Sequence, residues 1–290
     1  MINSLLHEFD FWQAKTKSHR NRTQNRIHKH TIVTMTPTLT TFNKWVVRPQ
    51  PNAQAALRLF CFPYAGGGSL SFRNWASALP SNVEICPIEL SGRGLRLMEP
   101  AFTQLEPLVQ AIANALLPDL DRPFAFFGHS MGALLSFELT RFLRRHYQLA
   151  PAHLFVSGKR SPQVPNPNPP TYNLPEPEFL AELRRLNGTP AEVLDNQELM
   201  QLLLPTLRAD LAVVETYVYS HEAPLDCPIT VFGGDQDPET SIELLEAWRS
   251  QTSADFALHL LQGDHFFLHS AQLDLLQVLG DDLQIILNSL

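Results

Sequence analysis

The pentapeptide Gly128-His129-Ser130-Met131-Gly132 follows directly on the apolar run Phe124-Ala125-Phe126-Phe127 and opens a helical pattern. A G-x-S-x-G at a strand-to-helix junction constrains the fold more than any other feature of the chain. The turn is tight enough to admit only glycine two residues before and two after the serine. It holds Ser130 on a strained corner, with its hydroxyl exposed and the Met131 N–H aimed at the same space. That is the geometry of a serine nucleophile in acyl transfer.

The surrounding pattern agrees. Apolar runs read as strands over 57–63, 83–89, 124–128, 153–158, 228–233 and 256–261. Helical patterns fall near 70–79, 105–117, 131–147, 240–250 and 270–288. Alternating strands and helices with near-continuous apolar strands predict a mostly parallel sheet covered on both faces. Residues 36–56 are polar and proline-bearing, so the packed body is expected from about Leu57.

One long interruption, about 162–226, separates the fourth strand from the fifth. It opens with seven prolines from Pro162 to Pro177 and continues as two helical patterns, 177–188 and 196–217. Pro205 is expected to bend or split the second. An insertion there lands at the carboxyl edge of the sheet, where Ser130 lies, and is expected to form a lid. The resulting division is an N-terminal extension 1–41, expected to be disordered or an over-extended start, a core of 42–162 and 223–290, and a helical lid 163–222.

In a sheet of this kind the acid follows a later strand and the histidine follows the last. Asp235 and Asp237 stand just past strand 228–233, and His265 just past strand 256–261. His265 is the expected base. Asp237, in the turn before Pro238, is preferred as the acid, with Asp235 as the alternative. The second oxyanion donor is expected from the turn Phe62-Pro63-Tyr64-Ala65-Gly66-Gly67-Gly68, with the Ala65 N–H as the choice beside that of Met131. His129 is expected to pack rather than react.

The net charge is −7. Residues 1–35 carry Lys15, Lys17, Arg20, Arg22, Arg26 and Lys29 against Glu8 and Asp10, so the rest of the chain is more acidic still. An acidic body argues against nucleic-acid binding. No run reaches the length of an apolar membrane span. Cys61, Cys86 and Cys227 each sit in an apolar run and lack metal-ligand spacing, which fits buried thiols in the cytoplasm and no bound metal.

With these residues in place the chain resembles the stand-alone type II thioesterases of nonribosomal peptide and polyketide assembly lines, in the α/β-hydrolase superfamily. The matching stretches are FCFPYAGGGSLSFRNW (60–75), ELSGRGLR (89–96), FAFFGHSMGALLSFEL (124–139), LFVSGKRSP (154–162), LNGTPAEVLDNQELMQLLLPTLRADLAVVETY (186–217), GGDQDP (233–238) and GDHFFL (263–268). Two departures are visible: Tyr64 where the family usually has histidine, and Ser91 where it has proline. The resemblance implies an α/β-hydrolase fold and hydrolysis of acyl groups from the phosphopantetheine thiol of an acyl or peptidyl carrier protein. The implied machinery is Ser130, His265 and Asp237 with an oxyanion hole of Ala65 and Met131, no cofactor, and a monomer.

Carrier proteins are commonly acidic, so Arg73, Arg93, Arg96, Lys159 and Arg160 are the candidate docking cations. A carboxylesterase or an acyltransferase on the same fold would share these residues, and so would a non-catalytic binding module.

Overall fold

The computed structural model describes residues 43–290. The expected extension 1–41 and the basic residues within it lie outside these. Six parallel strands form one sheet: β1 (Leu57–Phe62), β2 (Val83–Pro87), β3 (Phe124–His129), β4 (His153–Ser157), β5 (Ile229–Gly234) and β6 (Phe256–Leu261). Their order is β2-β1-β3-β4-β5-β6. The helices are α1 (Leu105–Leu116), α2 (Met131–Tyr147), α3 (Glu176–Leu186), α4 (Ala191–Leu194), α5 (Gln197–Glu215), α6 (Ile242–Glu246), α7 (Phe267–Ser270) and α8 (Gln272–Ser289).

Side chains of the strands alternate between two cores, as a pleated sheet requires. Phe60, Phe62, Phe126 and Val156 pack with the apolar faces of α1 and α2. Leu59, Cys61, Phe127, Phe155 and Phe232 pack with α8 on the opposite side. Both faces are covered, which is why the strands read as unbroken apolar runs. All three cysteines are buried and free, and burial pushes the Cys86 and Cys227 thiols up to about 12.

Three expectations are corrected. Residues 70–79 form two short 3₁₀ turns, Ser69–Phe72 and Trp75–Ser77, not a helix. Phe72 and Trp75 are fully buried and both pack edge-on against Phe127. Phe72 closes the first turn and Trp75 opens the second, so the break between the turns lets both rings reach one site. Second, packing begins before Leu57: Val46 is buried and bridges Ile88, and Trp45 lies under the Arg96 guanidinium at 3.6 Å. Third, Pro205 does not split α5, which runs through it as one helix. Proline leaves the carbonyl four residues earlier without its helical donor. That residue is Gln201, and both it and Pro205 are exposed, so water can take the carbonyl.

Between β4 and β5, α3, α4 and α5 build a small core of their own from Phe179, Leu183, Leu194, Met200, Leu204 and Leu207. Among the described residues no helix is long and apolar enough to cross a membrane.

Candidate active site

The corner between β3 and α2 holds Ser130 at φ 54°, ψ −111°. This is a strained conformation for a residue with a side chain, and its surroundings enforce it. The Ser130 N–H donates to the Ser157 carbonyl at 2.8 Å. A Cβ on Gly128 would come within 2.1 Å of the Gly132 carbonyl oxygen, and one on Gly132 within 2.1 Å of that of Phe62. Only glycine closes this turn.

Two loops meet beside it. The turn after β5 is zipped to the one after β6: Asp235 N–H donates to the Leu261 carbonyl at 2.8 Å and Gln236 N–H to that of Gly263 at 2.9 Å. Gly234 permits the approach, since a Cβ there would sit 2.5 Å from the carbonyl oxygens of both Gly263 and Asp264. The result is an unbroken relay. The Ser130 hydroxyl is 3.0 Å from His265 Nε2, and His265 Nδ1 is 2.8 Å from Asp237 Oδ2.

Asp237 is also gripped by the Glu239 N–H and the Thr240 hydroxyl, each at 2.8 Å. Burial alone would raise its carboxyl pKa. The hydrogen bond and charge of His265, together with these two donors, outweigh burial and hold it below the ordinary carboxylate value. A charged Asp237 fixes the His265 proton on Nδ1, leaving Nε2 free to accept from serine.

The other candidates are placed elsewhere. Asp235 accepts from the Gly263 N–H, so it ties the two loops together. Asp264 accepts from the Phe266 N–H and the Asn187 side chain. His129 is fully buried, with Nδ1 2.8 Å from the Ser157 hydroxyl. Burial, reinforced by the neighbouring His265, keeps it well below the ordinary histidine pKa and therefore neutral.

The Ala65 and Met131 amides have no acceptor among the described residues. Both residues border the same cavity as Ser130 and His265. Its volume is about 510 Å³, and its walls include Leu183 and Leu186 of α3 and Leu207, Leu211 and Val214 of α5. Tyr64, at the position where the resemblance expects histidine, also borders it. The Tyr64 hydroxyl lies 3.1 Å from His269 Nε2.

Two of the sequence-derived docking cations are unavailable. Arg96 is buried, pairs with Glu99 and covers Trp45. Arg93 is buried in a two-pronged ion pair with Asp210 of α5, at 2.8 and 2.7 Å. The same carboxylate accepts the Gly66 N–H at 2.7 Å, and Arg93 donates to the Gly67 carbonyl at 2.8 Å. This pair clamps the glycine turn next to Ala65. Sequence reasoning assigned it no role, although both halves lie in matched stretches, SGRG and LRAD. Among the described residues no His, Cys, Asp or Glu group has the makings of a metal site.

The Thioesterase domain family model matches residues 57–282. The chain belongs to the thioesterase family. It is 49% identical over 245 residues to linear gramicidin dehydrogenase LgrE of Brevibacillus parabrevis, covering 83% of this chain and 93% of that protein. The turn after β1 here has Ser71 where the dinucleotide fingerprint G-x-G-x-x-G, begun at Gly66, would close on glycine. The RedJ thioesterase of the prodiginine pathway in Streptomyces coelicolor superposes with a TM-score of 0.74 at 41% identity, covering 79% of this chain and 86% of that one. The type II thioesterase BorB of the borrelidin cluster gives 0.76 at 31% identity, covering 82% and 97%. This thioesterase therefore has the α/β-hydrolase fold of its relatives.

Proposed function

We propose that this thioesterase hydrolyses acyl groups from the phosphopantetheine thiol of an acyl or peptidyl carrier protein, clearing stalled or wrongly loaded intermediates. The observation that carries the chemistry is the Ser130–His265–Asp237 relay, closed at 3.0 and 2.8 Å. Ser130 attacks the thioester carbonyl while His265 takes its proton through Nε2. The Ala65 and Met131 amides receive the oxyanion. Collapse expels the pantetheine thiolate, protonated by His265, and leaves an acyl-enzyme on Ser130. Water, activated by the same imidazole, releases the acid. The helices α3 to α5 act as the lid. The relatives named as thioesterases of the prodiginine pathway and the borrelidin cluster support the carrier-bound substrate.

The test compares acyl-carrier proteins with the same acyl groups on free pantetheine and on simple esters. The expected order in kcat/KM is carrier, then free thioester, then ester. Ester turnover above thioester turnover would refute the proposal in favour of a carboxylesterase.

Carrier docking has its own readout. Arg73 is exposed, whereas Arg160 already donates to the Glu239 and Pro165 carbonyls. Arg73→Glu is expected to raise KM for the acyl-carrier about tenfold at low salt, in the range of a few charge contacts at an interface rim. KM for a free thioester stays level. Equal shifts for both substrates would show that Arg73 does not meet the carrier.

Thr240 offers a milder test of the relay. A hydrogen bond to a charged group is worth about 1.5–3 kcal/mol, so Thr240→Val is expected to lower kcat about tenfold. The same change removes one influence that depresses the Asp237 pKa. A carboxylate depressed on folding adds stability that is lost as pH falls through its folded value, so Thr240→Val is expected to melt below the wild type at neutral pH, with a gap that narrows as the pH is lowered through the carboxylate range. A gap that stays constant down to low pH would place Thr240 outside the relay's electrostatics.

A further inference from the structure

The cavity wall opposite the glycine turn contains an unused cation. Charged side chains around the pocket are otherwise engaged. Arg185 binds Glu182 and Glu239, Arg160 donates to two backbone carbonyls, and Glu215 accepts from the Thr171 N–H and hydroxyl and the Tyr172 N–H. Lys159 borders the cavity with Ser130 and His265, yet its ammonium has no hydrogen-bond or salt-bridge partner among the described residues.

Its placement is fixed by the sheet. Ser157 is the register partner of His129 on β3, and its carbonyl takes the Ser130 N–H at 2.8 Å. Lys159 is therefore two residues beyond the one that anchors the nucleophile's own backbone, on the neighbouring strand end, and neighbouring strands are only about 4.8 Å apart. The backbone there is held on both sides. Gly158 N–H donates to the Phe232 carbonyl at 2.9 Å, and the Lys159 carbonyl accepts from the fully buried Trp248 Nε1 at 2.7 Å. The side chain thus leaves a rigid point next to the reacting centre. The carboxylates of Glu239 and Glu215 lie near enough to favour its charge but neither bonds it, so the donors of this half-buried ammonium are left for water or for an oxygen that a ligand brings.

We infer that Lys159 is a specificity residue of this thioesterase, whose ammonium binds an oxygen acceptor (carbonyl, hydroxyl or carboxylate) carried on the acyl chain beyond the thioester. The inference rests on the thioesterase reading and extends it from the bond cleaved to the acyl group accepted. Burial, with the neighbouring Arg160 cation, pushes the Lys159 amine down to about 8 against the pull of the Glu239 and Glu215 carboxylates, which leaves it mostly charged at neutral pH. Simple alkyl chains would meet Leu183, Leu207 and Leu211 but leave the ammonium unanswered. Acyl groups ending in a cationic amine would be repelled.

The test uses the full chain and matched six-carbon pantetheine thioesters, hexanoyl, 3-oxohexanoyl and adipoyl, with their non-hydrolysable amide counterparts for calorimetry. The wild type is expected to favour the two oxygen-bearing chains over hexanoyl. Lys159→Met is expected to lower the adipoyl-to-hexanoyl ratio about tenfold, both in kcat/KM and in affinity for the amides. Lys159→Arg retains most of the preference. A ratio unchanged by Lys159→Met, or equal losses on all three chains, overturns the inference. Absent turnover of every thioester, with the binding ratio still shifted, would instead overturn the thioesterase reading and leave the acceptor site in place.

Discussion

Ser130→Ala is expected to lower kcat/KM about a millionfold, as loss of a catalytic serine that acts as a unit with its base does elsewhere. The fold is expected to survive, because the Ser130 side chain is used only by His265 Nε2 while its backbone is held through Ser157. His265→Ala should cost nearly the same. The double variant should be no slower than either single one, because the proton relay is already broken. Independent, additive losses would mean that the two groups do not act in one step. Ser130→Gly makes a second comparison. With φ at 54°, the serine stores strain that glycine does not feel, about 1 kcal/mol or more. The glycine variant should therefore melt above the wild type while being equally inactive. Activity assays with a soluble acyl thioester and calorimetric melting curves read both effects. A glycine variant that melts below the wild type would contradict the idea that this corner is held under strain for the sake of the hydroxyl.

What could be read from residues alone follows from how local each signal is. The sheet was legible because both its faces are buried, so each strand announces itself as an apolar run. Ser130 and His265 were legible because their positions depend on a strand end and a turn. Asp237 was harder to separate from Asp235: both lie in the same turn, and only the zipper between the loops decides which one faces the imidazole. The 3₁₀ turns at 69–77 were missed because burial of Phe72 and Trp75 on one phenylalanine overrides the helical spacing. Arg93 and Arg96 were misread as surface charge. A basic residue in a loop looks the same in sequence whether it faces water or a carboxylate 117 positions away. The rigid point at Lys159 was likewise invisible, since Trp248 meets it from 89 residues along the chain.

That distant carboxylate leads to the second large effect. Asp210→Ala is expected to destabilise the protein by about 3–5 kcal/mol, because it strands the Arg93 guanidinium in a buried site. For a domain of this size that is a fall of roughly 10 °C in Tm. Activity should fall as well, for a separate reason. Asp210 holds the Gly66 N–H, one residue from the proposed oxyanion donor at Ala65, and losing one such donor elsewhere lowers kcat by about 100-fold or more. Replacing both partners separates the two consequences. Arg93→Met with Asp210→Leu removes the stranded charge, and an apolar pair in place of a buried ion pair is often neutral or stabilising. Tm should therefore return toward the wild-type value. The Gly66 amide still lacks its acceptor in that variant, so kcat should stay depressed while KM for a free thioester changes little. Recovery of both Tm and kcat would mean that the ion pair only braces α5 against the sheet. Recovery of Tm alone would place the α5 carboxylate among the groups that position the oxyanion turn, through which the helix covering the site also tunes the chemistry beneath it.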